Sequence, residues 1–426
     1  MNSSRIAYLL TAFPTISETF VEGEVRALLV RGLPIDLYAT RNLREGAGPE
    51  DPMNDRGLMI HRSPYLLHRE VVFTVLRFLR ERPRATLAVL LEVVLGNLAS
   101  PRFLLQTLAL FPKTLVFARR MQERRTVHVH ATWGHYPATA ALVISRLLDV
   151  PFSFSAHAGL DVTGDTTFQA TKVRGARFVL TCNESNRRFL SHRTPDCADK
   201  IRVVHHGVSL VEIPRAESRP VEEAPTILSI GRLAREKGFL DLLHACDLLR
   251  GRGHRFALRI YGEGPERRRM EREIERRGLQ DRVRLEGTAP HARILEACAR
   301  ATVVVLASYR GPEGYLDGIA NVLVEAMACG TPVVSTDYPG ARELLQDGLL
   351  GPLVPQRDPA RLADAIEALL RDPARRAELA RLGRRRIEAS FDRERNIEAI
   401  ASLFRSVLEA SDGRPAGITA RDPRSA

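Results

Sequence analysis

The sequence predicts an α/β protein built from two doubly wound parallel-sheet domains, the first carrying a helical insertion. Three observations predict it. Short β-branched runs alternate with amphipathic stretches, the pattern of parallel strands covered on both faces. A polar, Pro-rich, apolar-poor segment, "SLVEIPRAESRPVEEAPT" (209–226), divides that alternation into two sets. Between residues 61 and 125 the rhythm gives way to a long apolar helical run.

The elements follow in order. "RIAYLLTAF" reads as a buried strand, and "PTISETFVEGEVRALLVRG" as the helix after it. Thr15 and Glu18 fit a capping box, Phe20, Val21, Val25, Leu28 and Leu29 fall at helical spacing, and Gly32 ends the run. "VHVHATW", "PFSFSAHA", "RFVLTCN" and "IRVVHHG" continue as strands, with "PATAALVISRLL" and "ESNRRFL" as helices between them. The second set starts at "TILSIGRL" and runs through "FALRIYGEG", "VRLEG", "TVVVLAS" and "TPVVSTD", with helices in the intervals. The predicted boundaries are 1–212 and 213–394, then a helix over 395–410 crossing back to the first domain, and a disordered tail over 411–426.

Composition narrows the function. At 426 residues and 44% hydrophobic, the chain suits a folded protein of more than one core. No uncharged apolar run reaches 18 residues and no secretory leader pattern opens the chain, so a cytoplasmic protein is expected. Five scattered cysteines, none in a C-x-x-C pair, point to reduced thiols and away from a zinc site. The charge is +12, with only four lysines among 63 basic residues. With one Trp and 6% aromatics, nucleic acid is disfavoured as a partner. Residues 61–125 hold 12 Arg/Lys against four Glu, a net +8. Two readings stay open for them: packing on their own domain, or lying on an anionic membrane surface.

Ligands of doubly wound sheets bind at the carboxyl ends of strands. After "TILSI", Gly231 lets the backbone turn, and Arg232 and Lys237 offer a fork and a point charge suited to a diphosphate. Gly262 in "YGEGPE" lacks the third Gly of a dinucleotide fingerprint. The stretch "YLDGIANVLVEAMACGTPVVSTD" places a helix start near Ala320, with Gly318, Ile319 and Asn321 around its free N–H groups. Asp317 stands at the rim, where a carboxylate accepts from sugar hydroxyls. Glu325 interrupts an apolar helix and needs a partner, either ligand hydroxyls or a buried ion pair. No H-E-x-x-H or D-x-D occurs, so no metal is expected. His130 reads as structural, His157 as a loop histidine at a domain edge, and His205 and His206 receive no role.

These residues carry a resemblance. Through "GRLAREKG", "YGEGP", "VRLEGTAP" and "DGIANVLVEAMACGTPVVSTDYPGARELLQDGLLGPLVP", the C-terminal half resembles retaining GT-B glycosyltransferases of family 4. "FPTISETFVEGEVRALLVRG", "HVHATWGHYPATAA" and "SFSAHAGLDV" resemble the branch that builds bacterial exopolysaccharides, colanic-acid-type transferases included. The resemblance covers about residues 5–393, loosely over 40–125. It implies two Rossmann-like domains facing a cleft, with a nucleoside-diphosphate sugar as co-substrate, no other cofactor, and a glycan or lipid-linked acceptor. Arg232, Lys237 and the helix start would neutralise the diphosphate. Glu325 would bind ribose hydroxyls, Glu286 and Gly287 would line the base pocket, and His157 would sit near the transferring sugar. Ser17, Glu18 and Thr19 would face it from the acceptor side.

One departure is conspicuous. The family has Glu, seven residues, Glu; here the first acid is Asp317, a methylene shorter, and a misplacement of roughly 1 Å can cost about a hundredfold in rate. Ala320 stands where many relatives have Pro. A working transferase is expected. A phosphorylase, an epimerase and a catalytically silent assembly partner are the alternatives.

Overall fold

A computed structural model describes residues 4–13, 19–40, 60–62, 68–157, 161–164, 166–214, 225–311 and 316–412. The first sheet comprises β1 (Arg5–Leu10), β2 (Ile35–Ala39), β3 (Ile60–Arg62), β4 (Thr126–Ala131), β5 (Phe152–Ala156), β6 (Val179–Thr181) and β7 (Ile201–Val203). All seven are parallel, in the order β3-β2-β1-β4-β5-β6-β7. The second comprises β8 (Thr226–Ile230), β9 (Ala257–Tyr261), β10 (Val283–Gly287), β11 (Val303–Leu306), β12 (Val333–Thr336) and β13 (Leu353–Val354), also parallel, in the order β10-β9-β8-β11-β12-β13. Strand order reverses between β1 and β4 and again between β8 and β11, the places where such sheets open a binding crevice.

Helices of the first domain are α1 (Thr19–Val30), α2 (Arg69–Glu81), α3 (Pro83–Asn97), α4 (Pro101–Glu123), α5 (Tyr136–Leu148), α6 (Gln169–Gly175) and α7 (Glu184–Arg193). Gly32, at φ +77°, closes α1 as its position in the sequence predicts. The helical run over 61–125 divides into three helices, because Pro83 and Pro101 each occupy the first turn of a new helix. Its opening residues also belong elsewhere: His61 and Arg62 form part of the edge strand β3. The C-terminal half of α4 is core, with Leu115, Phe117, Ala118 and Met121 buried.

The second domain carries α8 (Phe239–Gly251), α9 (Arg267–Arg276), α10 (His291–Arg300), α11 (Asn321–Ala328), α12 (Pro339–Leu345), α13 (Pro359–Arg371) and α14 (Pro373–Ser390). Helices α13 and α14 start alike: Asp358 and Asp372 accept from the N–H three residues on, and Pro follows at the first helical position.

Two sequence boundaries move. The segment 209–226 is not wholly a linker, since Ile213 is buried in the second core and Thr226 opens β8; residues 215–224 lie outside the described residues. The last helix, α15 (Arg393–Asp412), is longer than 395–410, and takes Ser411 and Asp412 from the expected tail. Its Ile397, Ile400, Phe404 and Val407 pack with Ile6, Tyr8 and Leu10 of β1, so it returns to the first domain. Where the chain passes between domains, Val208 and Asp392 form a parallel bridge, with Val208 N–H donating to Phe391 O (2.9 Å) and Arg393 N–H to Val208 O (3.1 Å).

Candidate functional site

The second sheet builds a glycine ledge at three adjacent strand ends. Gly231 N–H donates to Tyr261 O (3.0 Å), and Gly262 N–H to Gly287 O (2.8 Å). A Cβ on Gly262 would stand 1.9 Å from Gly231 O, and one on Gly264 would stand 2.4 Å from Leu233 O. The G-x-G of "YGEG" therefore exists because two loops cross at backbone contact, and any side chain would part them.

Across the switch point, the loop after β8 meets the loop after β11. Lys237 Nζ donates to both oxygens of Asp317 at 2.7 and 2.8 Å, and Ser308 Oγ donates to Asp317 Oδ2 at 2.7 Å. The pair is mostly buried and adjoins the start of α11, whose N-cap, Ala320, makes no side-chain cap bond. Gly318 and Ile319 lead into it, and a Cβ at Gly340 would stand 2.0 Å from Gly318 O, so α12 is packed hard against this loop. Arg232 does not join Lys237: its side chain is 64% exposed and pairs with Glu236 at 2.7 Å.

Below lies a cavity of about 330 Å³ walled by both domains. From the second domain come Asn321, Glu325 and His291, and from the first Glu24, His157 and His206. Glu325 Oε1 lies 3.0 Å from His291 Nε2, and that partner raises the imidazole above its ordinary range. Glu325 thus has an ion-pair partner, but a half-exposed one at a cavity wall rather than a buried one. Burial holds His157 well below the usual histidine range, and so neutral; its ring lies edge-on to Trp133 at 5.0 Å. Glu286 turns to Arg259 (3.1 Å) and, with Gly287, lies on the ledge outside the cavity lining. Ser17 and Glu18 lie outside the described residues; Thr19 opens α1.

Sequence reasoning missed three features. Asp161 is buried, and its carboxylate accepts from His135 N–H (3.2 Å) and His157 N–H (3.4 Å), tying the loops after β4 and β5 together. Burial pushes it up to about 7. Glu24 receives the Tyr8 hydroxyl at 2.9 Å and is likewise pushed up to about 7 by burial. Its place one helical turn after "SETF" was the available signal. Third, β5, β6 and β7 are neighbours, so His157, Cys182 and His206, which follow them, each present one ligand atom within 4.8 Å of the others. Scattered cysteines argued against any such grouping, yet adjacent strand ends gather residues that sequence spacing keeps apart. His130 is structural as expected: its nitrogens lie 2.8 and 3.1 Å from the hydroxyls of Ser153 and Ser155. His205, given no role from sequence, reaches Glu343 of the other domain at 2.8 Å.

Comparison with known proteins agrees with this architecture. Residues 211–386 match the family described as "Glycosyl transferases group 1". Over 95% of its length the chain is 28% identical to all of WcaL from Escherichia coli (strain K12), provisionally described as a colanic acid biosynthesis glycosyltransferase. Two solved structures superpose with a TM-score of 0.70. Sucrose-phosphate synthase from Thermosynechococcus elongatus is 20% identical, covering 96% of this chain and 100% of its own. Anabaena Alr3699/HepE in complex with UDP is 17% identical, covering 94% and 100%. At such identities the likeness speaks for the fold. The ledge, the switch-point pair and α11 thus lie within the segment that matches the glycosyl transferases group 1 family, in a chain with the GT-B fold.

Proposed function

We propose that this chain moves a hexose from a nucleoside-diphosphate sugar to a glycan acceptor, polysaccharide or lipid-linked, with retention of configuration. The setting is exopolysaccharide or cell-surface glycan synthesis at the inner face of the cytoplasmic membrane. The observation that carries the reading is the Lys237–Asp317 pair across the switch point beside the uncapped start of α11. The WcaL likeness supports the pathway class, and UDP and UDP-glucose held by Anabaena Alr3699/HepE support the donor class.

Without ligand, the ammonium and the carboxylate neutralise each other. A diphosphate at the α11 terminus draws Lys237 toward itself and adds the free N–H groups there, leaving Asp317 to accept from sugar hydroxyls. Arg232, itself exposed and paired with Glu236 alone among the described residues, swings in from the surface. Glu325 accepts ribose hydroxyls at the cavity wall, and neutral His157 faces the sugar from the first domain. In the transfer, the sugar–phosphate C–O bond breaks as the bond to the acceptor oxygen forms on the same face. The acceptor's proton goes to the departing phosphate oxygen, whose charge Lys237, Arg232 and the helix dipole stabilise.

A thermal-shift panel of UDP, GDP, ADP and their sugars tests this, with Glu325→Ala alongside. Ligand at 100 times its dissociation constant adds about 2.7 kcal/mol. One nucleotide should shift the wild type and fail on the variant. No shift with any of them overturns the reading.

A further inference from the structure

Thirteen large hydrophobic residues of the described chain are exposed, and ten of them lie between Val72 and Leu108. They form stripes. On α3, Leu87, Leu91 and Leu95 recur every four residues, each more than half exposed; Phe73 and Leu76, three residues apart on α2, and Leu105 on α4 are exposed to the same degree. The opposite faces are already used, with Val71, Phe78, Val89 and Val93 buried where α2 and α3 pack on α4 and α5. Helices apolar on both sides belong where both sides are covered.

Charge says what covers them. The acids of this region are neutralised: Glu70 by Arg119 and Arg120, Glu81 by Arg77, and Glu92 by Arg146. Arg69, Arg80, Arg84 and Arg102 make no ion pair among the described residues. A second copy would bring these same cations face to face across a two-fold axis. A bilayer with anionic headgroups takes both the leucine stripes and the arginines. Among the described residues no helix is long and apolar enough to cross a membrane, so the helices would lie in its surface.

The end of α3 also packs close to a loop that serves the cleft. Near the end of α3, a Cβ on Gly96 would stand 2.1 Å from the Phe168 ring, so only glycine lets the helix come this close. Phe168 is the N-cap of α6 and follows the loop that begins at Asp161, the residue holding the His157 backbone. We infer that the outer faces of α2, α3 and the first half of α4 dock on an anionic bilayer, with the end of α3 beside the segment that carries Asp161 and the His157 backbone. This rests on the lipid-linked acceptor of the reading above.

The test is flotation of the full chain with vesicles of phosphatidylcholine alone or mixed with phosphatidylglycerol. Wild type should bind the mixed vesicles, and should lose at least about a hundredfold on pure phosphatidylcholine and progressively as salt rises. Arg80→Ala/Arg84→Ala/Arg102→Ala should weaken binding to mixed vesicles by about a hundredfold. Leu91→Ser/Leu95→Ser should abolish it, while both variants keep the wild-type melting curve and nucleotide shift. Equal recovery on the two vesicle types, or variants that bind like wild type, overturns the inference. So does a dimer that Leu91→Ser/Leu95→Ser converts to monomer with no vesicle binding in either protein. A missing nucleotide shift alongside intact vesicle binding sinks the donor reading and leaves the docking face standing.

Discussion

Lys237 and Asp317 each satisfy the other in a mostly buried place, so neither can be removed cleanly. Lys237→Ala should lower kcat/KM by about a hundredfold or more, as expected for losing a charge aimed at a leaving group. It should also lower the melting temperature, because among the described residues Asp317 then keeps only the Ser308 hydroxyl. Asp317→Asn separates the two effects: it retains hydrogen bonding, and should impair sugar transfer while binding the free nucleotide nearly as wild type does. Asp161 adds a pH dependence. Its folded-state carboxyl is raised to about 7, above the ordinary 3.8, so its contribution is fully present below about pH 4 and fades as pH rises through 7. The span is a few kcal/mol. Melting curves from pH 5 to 8 should fall with a slope that Asp161→Asn flattens. None of these pairings was legible in sequence: 80 residues separate Lys237 from Asp317, and only the parallel topology brings β8 and β11 together.

Most strands and helices were readable because they carry their own start or stop signals, while β2, β3 and β13 were not read. Gly32 after α1 is one such signal, and the helix start near Ala320 is another. Asp-Pro twice over, before α13 and α14, was as plain a signal and went unused. Long-range capping was unreadable. Glu343 on α12 accepts the first N–H of α7 at 2.7 Å and also meets His205, so one carboxylate joins the two domains. Glu343→Ala should raise KM for the donor more than it lowers kcat, since it loosens the relation of the domains without touching the ledge. Steady-state kinetics with varied donor checks this; equal changes in both constants would count against a joining role.

Across the whole molecule, two strands of chain pass between the domains, and they touch at Gly207. A Cβ there would stand 2.5 Å from Arg393 N and 2.6 Å from its Cα, both backbone atoms that cannot turn aside. Gly207→Ala should therefore cost ~1–3 kcal/mol in the melting curve. The two-domain plan was legible because the alternation of strands and helices restarts after the Pro-rich segment. The contact of residue 207 with residue 393 was not, since nothing local marks it. The return of α15 also bears on how the chain is made. Ile6, Tyr8 and Leu10 leave the ribosome almost four hundred residues before Phe404 and Val407, which cover them. The first domain cannot finish its core when its own last strand emerges; it must wait, one face greasy and open, until the second domain has been synthesised. A nascent chain halted after β13 should thus bind a hydrophobic dye or a holding chaperone, and release it only when α15 is translated.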